Sequence, residues 1–165
     1  MRIVKLGVWL LVLYLLQTVF GRLISIYGAI PSLIAAFSVM FSFLAPDDKE
    51  AVYITVISAV LAGSCAGHSF PFEVLLIGCG SVAARGLAGY FKHIPRFLRL
   101  MAILALFSAV LITGGYYLTN HSIDINALLY VLLPRLVYTM ACAVVMYPLM
   151  LRTLFKKTEK RLLVI

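Results

Sequence analysis

Glu73 and Arg85 lie on one strongly apolar arm, Phe72 to Phe91, and Arg135 lies in another, Ala127 to Leu151. An ionisable side chain at membrane depth is costly unless it has a partner, so these three are the first candidates for work beyond packing. A helical side chain leans toward the N-terminal end of its helix. For Arg135, about eight residues and roughly 12 Å into its run, that lean points to the nearer membrane face, and the residue is expected to snorkel there. Arg85 has no such escape. It is expected inside the bundle or at a protein contact, held by helix-end carbonyls, or else bent back to the headgroups.

The other reactive side chains do not assemble into a site. Cys65, Cys79 and Cys142 are scattered through apolar runs, with neither CxxC nor zinc-ligand spacing, and read as packing residues. His68, His93 and His121 each fall at an expected helix end, with no second His or carboxylate at ligand spacing on the same helix. Asp47, Asp48 and Asp124 fall in polar loops, so no acid pair or Ser and His share a depth. No glycine-rich phosphate loop follows a strand, because no strand is expected. The sequence predicts no enzyme, no cofactor and no metal.

The elements that must position these residues follow from composition. The chain has 165 residues, is 64% hydrophobic and 12% charged, and has a mean hydropathy of +1.08. Soluble domains are about 45–50% apolar, so this is a polytopic membrane protein. Six apolar runs predict an all-α fold, a six-helix transmembrane bundle occupying residues 1–151, followed by a polybasic tail, 152–165. Arg2 and Lys5 precede a run from Leu6 to Phe20 that looks like the start of a signal peptide. No small-x-small site follows, and a retained first helix is expected. The second run, Ile24 to Ala45, carries Pro31 in its opening turns, and Pro46 to Glu50 form a polar loop. Ala51 to Ser69, Phe72 to Phe91, Leu100 to Leu118 and Ala127 to Leu151 complete the set, the last with Pro134 deep inside it.

The third and fourth runs form a hairpin across Ser69-Phe70-Pro71-Phe72 and are rich in small residues. Gly63 and Gly67 on one arm, and Gly80 and Ala84 on the other, recur at four-residue spacing, which in lipid allows helices to approach closely. Packing alone explains such a stripe.

The net charge of +8 is distributed in a way that argues against nucleic acid. Eleven of the fourteen Lys and Arg residues flank the side on which the termini fall, and only Arg22 flanks the other. By the positive-inside rule both termini are cytoplasmic, and the basic groups face anionic membrane lipids.

Ile30-Pro31-Ser32-Leu33, Ala62-Gly63-Ser64-Cys65-Ala66-Gly67, and Leu133-Pro134-Arg135-Leu136-Val137-Tyr138 with a basic tail resemble bacterial MreD, the rod shape-determining membrane protein family. Where that family commonly has an acidic residue after the first of these prolines, this chain has Ser32. The resemblance implies a non-enzymatic component of the cell-wall elongation machinery in the cytoplasmic (inner) membrane. Its implied partners are MreC-like, MreB-like and RodA-like proteins and a penicillin-binding protein. A second reading is the substrate-binding component of an energy-coupling-factor vitamin transporter, with a ligand held around Tyr130, Arg135 and Tyr138. Against it, the first run lacks the alanines such a subunit uses for its coupling partner, and an interfacial aromatic belt accounts for the tyrosines. Under the first reading Arg85 is the candidate partner contact.

Overall fold

The structure is a computed structural model that describes residues 2–19, 31–66, 70–90, 93–120 and 125–155. Gly67, Arg22, His68, His121, Asp124 and the basic tail beyond Phe155 lie outside the described residues. The described residues form six successive helices: α1 Arg2–Thr18, α2 Leu33–Leu44, α3 Asp48–Ala66, α4 Phe70–Ala88, α5 Arg96–Asn120 and α6 Ile125–Leu154. Among the described residues there is no strand.

The fold is organised around α2. Its sequence, LIAAFSVMFSFL, is apolar on every side, and all of its residues are buried. A helix with no polar face has no preference for a surface position, and here it packs against each of the other five. Phe37 and Phe41 form the middle of an aromatic row that begins at Trp9 of α1 and ends at Phe155, just past α6. Successive ring centroids are 6.0, 6.0 and 5.7 Å apart.

Helix boundaries differ from the expected ones where local chemistry intervenes. Pro31 and Ser32 precede α2 rather than forming its opening turn, and the Ser32 amide is engaged by Thr139 of α6 at 3.3 Å. At twelve residues α2 is about 18 Å long, against a hydrocarbon core of about 30 Å. The expected loop at Pro46 to Glu50 is mostly helix. Asp47 accepts the Lys49 amide at 3.2 Å and so caps α3, and Asp48 and Glu50 sit favourably in its first turn. Phe70-Pro71-Phe72, expected as the hairpin turn, is the first turn of α4, where a proline gives up no helical hydrogen bond.

Among the described residues, three segments are long and apolar enough to cross a membrane: Phe70–Ala88, Arg96–Tyr117 and Leu133–Leu154. The apolar helices Val4–Thr18 and Leu33–Leu44 are shorter. The first half of α1 lies beside the end of α6. There Trp9 Nε1 donates to Thr153 Oγ1 at 3.0 Å and Lys5 Nζ to the Thr153 carbonyl at 3.4 Å.

Candidate functional site

A helix leaves its first four N–H and last four C=O groups without partners, and in lipid no water is present to meet them. The polar side chains of this bundle gather at those places, above all at the two ends of α2.

At its C-terminal end the partner is Arg85. Nη1 donates to the Ser42 carbonyl at 3.2 Å and the Ala45 carbonyl at 3.0 Å, while Nε and Nη2 pair with Asp48. The Arg85 side chain is 26% exposed and that of Asp48 83%, so the guanidinium joins the buried helix end to the polar rim. The planar fork can serve carbonyls and a carboxylate at once. Arg99 does the same for α4, with Nη1 donating to the Ala88 carbonyl at 3.0 Å and the Tyr90 carbonyl at 2.6 Å. Arg96 lies 5.8 Å from the centroid of the Phe43 ring at the same end.

Midway along α2 the Ser38 and Ser81 hydroxyls are 2.9 Å apart, and Ser42 Oγ donates to the Ser81 carbonyl at 2.9 Å. All three residues are buried. This link between α2 and α4 was missed by sequence reasoning. Its signal was Ser38 and Ser42 at helical spacing in an otherwise apolar segment.

At the N-terminal end of α2, Gln17 Oε1 accepts the Ile34 amide at 3.2 Å, and Thr139 takes the Ser32 amide. Arg135 reaches the start of α2. Its Nη2 donates to Ser32 Oγ at 3.2 Å, Nε is buried with no partner among the described residues, and Glu73 of α4 attracts it electrostatically. Tyr130 stands apart from Arg135 and Tyr138. Tyr130 is 83% exposed and about 140° around the helix from Arg135, while Tyr138 is half-buried about 60° away.

The small residues receive aromatic and branched side chains. Gly63 accommodates Phe70 and Val74 of α4, as a hairpin contact should, whereas Gly80 faces Phe107 of α5 rather than α3. Ala84 is fully buried, and Gly114, which was not singled out in the sequence, receives Phe72. Gly80→Leu is expected to cost about 1–3 kcal/mol by overpacking against Phe107. Gly78→Leu, at a position where an added Cβ meets nothing within 4 Å, should be near neutral in the same thermal unfolding assay in detergent.

Each of these contacts satisfies a helix end or joins two helices, and none sets a base on a nucleophile. Among the described residues, no three His, Cys, Asp or Glu side chains gather as metal donors. No protein-family profile, curated protein or solved structure matches the chain.

Proposed function

We propose that this chain is a non-enzymatic, MreD-like component of the bacterial cell-shape and wall-elongation machinery. In this reading it crosses the cytoplasmic membrane six times with both termini inside, and acts as a scaffold or regulator for peptidoglycan synthesis. MreC-like and RodA-like proteins are its membrane partners, an MreB-like protein and a penicillin-binding protein complete the assembly, and the basic flanks meet lipid rather than nucleic acid.

One observation supports the choice of scaffold over transporter subunit. Arg135, the charged member of the suggested ligand set, is tied to Ser32 at the start of α2, with Tyr130 on another face of α6. The exterior carries large apolar side chains, among them Tyr53, Leu75, Val82 and Leu106, and suits contact with lipid and partner helices.

Affinity capture of the tagged chain from its native membrane tests this. MreC-like and RodA-like proteins should be enriched, and Arg85→Ala should lower their recovery more than Arg135→Ala. Enrichment of coupling ATPases with a bound vitamin, lost on Arg135→Ala, would reverse the reading. In parallel, reporter fusions after Lys49, Arg96 and Lys160 should report cytoplasm, and fusions after Arg22, Phe72 and Ser122 the outside. An external signal at Arg96 would overturn the six-crossing arrangement.

A further inference from the structure

A groove of about 910 Å³ runs between α1 and α3, walled by α1 from Leu6 to Tyr14 and by α3 from Tyr53 to Leu61. Its mouth carries Asp47, Lys49 and Glu50, at the end of the bundle where α1 begins. The volume falls within the range of roughly 300–1,000 Å³ usual for sites that hold a discrete small molecule. We propose that this groove binds one phospholipid with a zwitterionic, primary-amine headgroup. The proposal goes beyond the scaffold reading and depends only on the chain lying in a membrane.

Two features select this occupant. The first is depth. The apolar part of each wall covers eight helical steps, about 12 Å, less than half of the ~30 Å hydrocarbon core. A partner's transmembrane helix would need a seam along the whole thickness, whereas the acyl chains of one leaflet need only their own half.

The second is the mouth. Lys49 is exposed and offers an ammonium to a lipid phosphate, while Asp47, also exposed, offers a carboxylate to a lipid amine. Both signs within one turn complement a headgroup that carries both. A headgroup without an amine would leave the Asp47 carboxylate unmatched. Gly7 faces this space, and an added Cβ there meets nothing within 4 Å, so the wall leaves room that a side chain would fill.

The test uses the full chain in phosphatidylcholine nanodiscs doped with phosphatidylethanolamine or phosphatidylglycerol, each bearing a photoreactive group on one acyl chain. Labelled peptides are then mapped. The phosphatidylethanolamine probe should label α1 and α3 about tenfold more than the lipid-facing surface around Val82 and Leu106. Gly7→Trp and Ile57→Trp, which fill the groove from opposite walls, should each remove that excess in protein whose thermal unfolding is unchanged. Asp47→Asn keeps the α3 cap but removes the charge, and should erase the preference over phosphatidylglycerol. Uniform labelling around the bundle, equal labelling by the two probes, or labelling that survives in a folded Trp variant would overturn the proposal. Protection of the groove by a co-purifying polypeptide would overturn it too.

Discussion

Phe37→Ala is expected to destabilise the bundle by about 3 kcal/mol, the lower end of the range for a buried phenylalanine. The ring is fully buried on α2, between Trp9 and Phe41 in the aromatic row that reaches Phe155. Lipid tails are as apolar as the ring, so transfer from water contributes little between inserted helices. The loss comes from packing, because α2 is enclosed on all sides and its neighbours cannot collapse onto the cavity without moving several helices. Denaturant titration in mixed detergent micelles, followed by tryptophan fluorescence, measures it directly, since Trp9 stacks on Phe37. Phe37→Leu should recover more than half of the loss.

Arg85→Leu is expected to cost about 2–4 kcal/mol, because it leaves two helix-end carbonyls and one carboxylate without their donor. The effect is a property of the fork rather than of charge alone. Arg85→Lys, with a single ammonium on a flexible stem, should restore only part of it. Asp48→Asn should cost about 0–1 kcal/mol, since that side chain is mostly in water. Unfolding midpoints of the three variants in one lipid composition check the order Leu, Lys, Asn. Hydrogen exchange at the C-terminal turn of α2 should rise for Arg85→Leu and stay unchanged for Asp48→Asn. Arg85→Ala removes the same donors, so its partner-capture result is read against Gly80→Leu, which is destabilised to a similar extent without losing the arginine: a greater loss of recovery for Arg85→Ala marks a lost contact, and equal losses mark instability alone.

How far the sequence could be read depended on whether the decisive neighbour was local. Charged and proline-containing breaks separate the apolar runs, so six helices were legible from composition alone. Their ends were less so. Asp47 and Phe70-Pro71 look like loop residues by hydropathy, but one caps a helix and the others open one. Arg85 was legible as a group in need of a partner, with helix-end carbonyls and the inner headgroups both left open, because its lean points away from the nearer face. For Arg135 the lean gave no sign of Ser32, which the packing of α2 on α6 brings within 3.2 Å of it. The four-residue repeats showed which faces of the hairpin were small but not which neighbour they would meet, and so Gly80 went to α5. Ser38, Ser42 and Ser81 were passed over because serine in an apolar helix gives no sign of direction. Their partners are fixed only once α2 and α4 lie side by side.

The enclosure of α2 also sets an order of events during synthesis. This helix is made second, yet four of its five neighbours are made after it. The Ser81 carbonyl that accepts the Ser42 hydroxyl is 39 residues further on, about 2–8 s of elongation at 5–20 residues per second. Thr139, which takes the Ser32 amide, is 107 residues on, about 5–21 s. Until then α2 is surrounded by lipid or by the insertion machinery, with polar groups whose final partners do not yet exist. A serine hydroxyl in a helix can turn back to the carbonyl four residues before it, so Ser38 and Ser42 can shelter on Ile34 and Ser38 while they wait. An asparagine or glutamine, with both a donor and an acceptor to place, has no such complete refuge on its own helix. The newborn helix can thus remain in the bilayer as an almost wholly apolar rod, and exchange its own carbonyls for the Ser81 hydroxyl and carbonyl when the fourth helix arrives.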